Sequence, residues 1–215
     1  MDELLFLRRF SQYENDMDVS SFQAQLSSNW FSKQNAQEVY ELFLSLDLSG
    51  SGMLSREELR RFTGGRRCNR SIQLTSAAVD RIFEEYITYH PAEEMDFKTF
   101  LDLIIALELM DTRSALHYFF RVLDVTHCDK ITPMAITYFY SDVQKGLSGT
   151  GWDSPSVADI RQEIFDMAGV NDITGITLAD LDKCGQGSTI CAMLLDVTGF
   201  WEYDNRESLM AMQVK

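Results

Sequence analysis

Apolar residues in this chain recur at steps of three and four rather than two, and only three prolines interrupt its 215 residues. That combination leaves little room for sheet and points to an all-α fold. Candidate helices run from Glu3 to Tyr13, Asn35 to Leu46, Ser55 to Phe62, Ser76 to Ile87 and Asp96 to Leu109. Further ones run from Ser114 to Leu123, Pro133 to Val143, Pro155 to Met167 and Leu178 to Cys184. The start at Pro155 is the best marked, because Ser154 can cap the free amides while proline suits the first helical position.

A second pattern is laid over the first. Each linker between successive helices carries an apolar residue two or three positions before the next helix: Leu54, Met95, Ile131 and Ile176. Four helix, loop, short strand, helix units result, the EF-hand layout, in which that residue forms a small antiparallel ladder with a partner loop. The fold expected is therefore tandem EF-hand-like helix pairs joined by β ladders of two to three residues. Residues 1–34 form an N-terminal helical segment, 35–110 the first pair, 111–185 a second, degenerate pair and 186–215 a C-terminal helical and aromatic segment.

The linker "DLSGSGMLSREE" meets the spacing of a calcium loop at every position. Asp47, Ser49, Ser51, Met53 through its carbonyl, Ser55 and Glu58 stand at positions 1, 3, 5, 7, 9 and 12, with Gly52 at the sharp turn. Two carboxylates and three hydroxyls make a poor cage, so calcium binding is expected to be weak and optional, on the order of 10⁻⁵ to 10⁻³ M. The other loops depart further. "TYHPAEEMDFKT" has Thr88, Glu93 and Thr99 at positions 1, 6 and 12, and "DVTHCDKITPMA" places Cys128 at 5, Asp129 at 6 and Ala135 at 12. "GVNDITGITLAD" begins on Gly169 with Thr174 at the turn, although Asp180 ends it. A last imitation at Asp196, Thr198 and Glu207 fails on Phe200 and Trp201.

Composition narrows the function. With 33 acidic against 19 basic residues the net charge is −14, which disfavours nucleic acid and favours cations or basic protein surfaces. The exception is "REELRRFTGGRRCNR", whose Arg56, Arg60, Arg61, Arg66, Arg67 and Arg70 form a solvated helix face or a contact for an acidic partner. Four cysteines without CxxC spacing indicate reduced thiols in a cytosolic protein, not zinc or disulfides. "FLDLIIAL" is too short and too charged to cross a membrane, and no membrane partner is expected. Scattered His90, His117 and His127, glycines without a phosphate-loop lysine and the absence of HExxH argue against an enzyme. The aromatic block "GFWEY" reads as a plug for the helical core or as a contact surface.

Several stretches together carry a resemblance. "NWFSKQNAQEVYELFLSLDLSGSGMLSREELRRF", "EYITYHPAEEMDFKTFLDLIIALE", "ALHYFFRVLDV", "RQEIFDMAGVNDITGITLADL" and "LLDVTGFWEYDNRESL" resemble the B'' regulatory subunits of serine/threonine protein phosphatase 2A, nearest the gamma branch. The resemblance covers about Asn29 to Leu209. It implies a non-catalytic subunit that bridges the phosphatase scaffold and catalytic subunits and directs substrate choice, with protein substrates and, in the gamma branch, microtubule or centrosome proteins as further partners. Cytoplasmic placement follows at that level, with centrosomal, microtubule or nuclear association as variants. Members are usually longer, so the chain is expected to be a C-terminal piece or a short relative. A calcium sensor and a passive helical adaptor in a cytoskeletal assembly are the alternatives that the residues themselves leave open.

Overall fold

A computed structural model describes residues 33–64, 71–86, 93–148, 151, 154–171 and 173–213. The helix expected from Glu3 to Tyr13, the loop residue Thr88 and Arg66, Arg67, Cys68, Arg70 and His90 lie outside the described residues. The described part is helical: α1 (Lys33–Leu46), α2 (Arg56–Leu59), α3 (Ser76–Tyr86), α4 (Phe97–Glu108), α5 (Arg113–Leu123), α6 (Pro133–Leu147), α7 (Val157–Ala168), α8 (Leu178–Lys183), α9 (Gly187–Leu195), α10 (Val197–Asp204) and α11 (Arg206–Gln213). Among the described residues no helix is long and apolar enough to cross a membrane.

The chain divides into two compact units, Met1–Glu41 and Leu42–Lys215. Of the first, the described residues are the opening turns of α1. There Gln34 donates to Glu38 at 3.1 Å and Gln37 to Glu41 at 2.9 Å, four-residue pairs that support an exposed helix face.

The second unit holds the core. Near its start Phe43 meets Phe97 at 5.4 Å and Phe100 at 5.5 Å between ring centroids, and Phe62 meets Phe100 edge-on at 6.3 Å. Farther along, Phe119, Phe139, Tyr140, Phe165 and Phe200 are fully buried, Tyr140 and Phe200 lying 5.0 Å apart. Aromatic pairs of this kind add about 0.5–1.5 kcal/mol each beyond the area that they bury.

Among the described residues three antiparallel bridges tie the loops. Leu54 and Met95 exchange both backbone bonds at 2.8 Å, Ile131 and Ile176 do so at 2.8 and 3.0 Å, and Leu74 faces Asp196. The first two are single residue pairs where the paired loops lead one to expect ladders of two to three residues, and the bridge of Leu74 to Asp196 joins segments with no expected pairing. The reason is local: Ser55, Asp96, Thr132 and Thr177, one residue past Leu54, Met95, Ile131 and Ile176, already cap the next helix, so the extended stretch ends there.

Several expected helices change at their ends: α1 begins at Lys33 and α6 runs on to Leu147, and two others differ for identifiable reasons. Ser156, not Ser154, caps α7, its hydroxyl accepting the Asp159 amide, and Pro155 lies ahead of the cap. The Pro155 carbonyl is engaged by the Tyr140 hydroxyl at 2.8 Å and by Gln144 at 3.1 Å, which holds proline outside the helix. The segment Ser55 to Phe62 is one α-turn, Arg56–Leu59, after which Arg61 and Phe62 bond three residues back to Glu58 and Leu59 at 3.1 and 2.9 Å.

Candidate functional site

The loop from Asp47 to Glu58 is built on two left-handed glycines, Gly50 at φ +67° and Gly52 at φ +76°. These fold the backbone so that its amides face the first acid. Asp47 Oδ1 accepts the Ser51 amide at 3.0 Å and Oδ2 the Gly52 amide at 2.8 Å. The Ser49 hydroxyl lies 3.1 Å from Asp47 Oδ1 and 3.2 Å from the Ser51 hydroxyl, which donates to the Met53 carbonyl at 3.1 Å.

Glu58 closes the loop from the other end. Its Oε1 accepts the Ser49 amide at 3.0 Å, and its Oε2 accepts the Ser55 amide at 2.9 Å and the Ser55 hydroxyl at 2.8 Å. The Ser55 hydroxyl in turn accepts the Glu58 amide at 3.3 Å, completing a capping box at the start of α2. Glu58 is only 7% exposed. The Ser55 amide first, then the Ser55 hydroxyl and the Ser49 amide, outweigh burial and hold its carboxyl down at about 2. All six residues expected to hold metal, Asp47, Ser49, Ser51, Met53, Ser55 and Glu58, therefore lie in one hydrogen-bonded loop.

The donor set suits a hard divalent cation, since every side chain offers oxygen except Met53, which offers its carbonyl. Charge is the weak point: two carboxylates, each already accepting backbone N–H bonds. Among the described residues no group of three or more His, Cys, Asp or Glu side chains is placed to hold a metal ion.

The third loop repeats the first half of this design. Asp124 Oδ1 accepts the Cys128 amide at 3.1 Å and Oδ2 the Asp129 amide at 2.7 Å, while Thr126 donates to the Cys128 sulfur at 3.1 Å. His127 and Asp129 take the left-handed conformation that Gly50 and Gly52 take in the first loop, at φ +51° and +59°. The missing glycine therefore does not remove the turn, because aspartate tolerates this region. At its far end Ala135 only donates its amide to the Thr132 cap at 3.2 Å, so no carboxylate closes the loop.

The fourth loop repeats the second half. Asp180 accepts the Thr177 hydroxyl at 2.6 Å and amide at 3.0 Å, and these bonds, the hydroxyl first, hold its carboxyl below the usual range. In the second, Asp96 caps α4 by accepting the Thr99 amide at 2.8 Å. A capping role thus recurs at position 9 of all four loops. Its sequence signal is S-x-x-E at Ser55 and T-x-x-D at Thr177.

Other residues singled out from the sequence separate by role. Arg56 and Arg60 are committed within the molecule, Arg56 to Asp80 at 3.2 Å and Glu93 at 2.7 Å, and Arg60 to Asp80 at 2.8 Å and to Glu57. Phe200 is a core plug, Trp201 remains 38% exposed, and the Tyr203 hydroxyl donates to Glu163 at 2.5 Å. Asp196, the first residue of the false loop, is 1% exposed and accepts the Gln73 amide at 2.8 Å and the Thr198 amide at 3.0 Å. It latches the entrance of α3 to the start of α10, a function that no local pattern announced. Beside the third loop lies a cleft of about 610 Å³, walled in part by Glu85, His117, Arg121, Asp124, His127 and Thr177.

No protein-family model matches the chain. Individual relatives do. It is 39% identical over 211 residues to the gamma member of the B'' regulatory subunits of serine/threonine-protein phosphatase 2A from Xenopus tropicalis, covering 98% of this chain and 43% of that protein. The Homo sapiens counterpart is 37% identical over the same shares. The Arabidopsis thaliana protein named as the probable B'' regulatory protein TON2 of the same phosphatase is 36% identical, over 95% of this chain and 42% of its own length. The chain thus spans less than half the length of these relatives, all of which are named as regulatory rather than catalytic subunits. A solved PP2A PR70 holoenzyme contains a chain of the same fold, with a TM-score of 0.71 at 20% identity over 89% of this chain and 67% of that one. By sequence along nearly its whole length, and by fold, the chain is a homologue of the B'' regulatory subunits of protein phosphatase 2A.

Proposed function

We propose that the chain works as a B''-type regulatory element of protein phosphatase 2A, docking on the scaffold and catalytic subunits and directing substrate choice without chemistry of its own. The observation that carries this reading is similarity to B'' gamma over 98% of the chain, not confined to the loop motifs. The two bridges that join Leu54 to Met95 and Ile131 to Ile176 support a grouping into two EF-hand pairs, residues 35–110 and 111–185, followed by a helical segment from 186.

In this reading the first loop is a joint with an optional ion. Asp47, Ser49, Ser51, the Met53 carbonyl, Ser55 and Glu58 would hold calcium, which would supply the positive charge that now comes from amide and hydroxyl hydrogens. Cytoplasmic placement with centrosomal or microtubule association belongs to the same proposal.

Affinity purification of the tagged chain from cells, followed by mass spectrometry, tests it. Recovery of scaffold and catalytic subunits supports the reading. Recovery of cytoskeletal proteins with neither subunit would replace it with a passive adaptor, and recovery of a partner only when calcium is added would favour a sensor.

A further inference from the structure

Neighbouring residues on α3 are tied in opposite directions. The Asp80 carboxylate accepts Arg56 Nη1 at 3.2 Å and Arg60 Nη2 at 2.8 Å, and its backbone carbonyl accepts Arg56 at 3.1 Å. Both arginines belong to the short turn that leaves the first loop, and Arg56 directly follows Ser55, the residue that Glu58 clasps. Arg81, the next residue of α3, donates through Nε to the Val122 carbonyl at 3.2 Å and through Nη2 to the Asp124 carbonyl at 3.5 Å. Those carbonyls end α5 and open the third loop. Arg81 also bonds Glu84 and Glu85 at 2.6 Å each, and Glu85 faces Arg121 at 3.6 Å and His127 at 3.5 Å.

The two ends differ in burial. Asp80 and Arg56 keep about a third and a quarter of their side-chain surface in water, whereas Arg81 and Glu85 are 7% and 8% exposed. A buried pair of this kind is little screened by salt and loses heavily if one partner shifts away from the other. Helix α3 between them has a rigid backbone, so a displacement of α2 that carries Arg56 and Arg60 must either break their bonds to Asp80 or move Arg81 with it.

From this arrangement we infer that α3 couples the first loop to the third: whether Glu58 is closed on Ser49 and Ser55 or released sets how firmly Asp124 holds the Cys128 and Asp129 amides beside the cleft. Its two states are the closed Glu58 clasp of this structure and the released one that the coupling invokes, and it crosses from one EF-hand-like pair to the other. It does not require that calcium be what releases Glu58, so it stands apart from the phosphatase reading.

Residue-resolved hydrogen exchange on the full chain tests the inference. Glu58→Gln should speed exchange of the Cys128 and Asp129 amides at least about tenfold while leaving the Ile190 and Cys191 amides of α9 within about twofold. In an Asp80→Asn background the same Glu58→Gln change should move the third-loop amides by less than about twofold. Ser55→Ala, which removes the hydroxyl bond to Glu58 and the cap on its amide, weakens the same clasp and serves if Glu58→Gln does not fold. Unchanged third-loop exchange, an effect of equal size with Asp80→Asn, or uniform acceleration that includes α9 would each overturn the coupling.

Discussion

Glu58 reaches back nine residues to accept the Ser49 amide at 3.0 Å, while its second oxygen takes both donors of Ser55. One carboxylate thereby closes the loop and caps the helix that leaves it. The closing interaction is a set of hydrogen bonds among groups that the chain itself supplies.

That arrangement makes the loop acid-sensitive. Because the folded carboxyl sits at about 2 against 4.5 for the free group, its contribution is complete above 4.5 and fades as pH falls towards 2. Glu58→Gln should remove this part of the acid dependence and cost about 1.5–3 kcal/mol at neutral pH, the range for hydrogen bonds to a charged group. Urea unfolding of both forms at neutral and acid pH measures it, with the Glu58 carboxyl followed by NMR.

Charge limits calcium affinity in the first loop. Calorimetric titration should give weak binding at best, on the order of 10⁻⁵ to 10⁻³ M, abolished by Asp47→Ala. Ser49→Asp with Ser51→Asp should tighten it by on the order of tenfold or more, because ligand charge count tunes such loops. Tight binding by the unaltered chain would contradict this account of the loop.

The loop bridge is a packing element as much as a hydrogen-bonded one, since Leu54 and Met95 are 0% and 1% exposed. Leu54→Ala or Met95→Ala should each cost about 2–5 kcal/mol. The double variant should fall short of the sum by about 0.5–3 kcal/mol, because the residues are in contact. Chemical denaturation of the four forms gives the cycle.

Within the aromatic block, burial predicts unequal outcomes for adjacent residues. Phe200→Ala should cost about 3–5 kcal/mol, whereas Trp201→Ala, at a side chain 38% exposed, should cost clearly less. Thermal unfolding separates them, and a large loss of partner binding in the stable Trp201 variant would mark that side chain as a contact.

Much of this is legible in the sequence because it is local. The periods of the helices, the bridge residues Leu54, Met95, Ile131 and Ile176, and the spacing from Asp47 to Glu58 are all written over short stretches. Pairing across distance is not. Asp196 holds Gln73 across 123 positions, and Arg81 reaches the Val122 carbonyl across 41. In the degenerate third loop, Asp129 in place of glycine suggests a missing turn. The backbone keeps the turn because Asp124 still gathers the Cys128 and Asp129 amides. Ser156 displaces Ser154 as a cap for a similar reason: the Pro155 carbonyl is claimed by Tyr140 and Gln144, partners that a local pattern does not reveal.

Assembly with the phosphatase is the claim on which the proposed function rests. Size-exclusion chromatography with light scattering, on the chain mixed with purified scaffold and catalytic subunits, measures it directly. The account predicts a complex containing all three, formed with or without calcium. Elution of the chain apart from both subunits would contradict it.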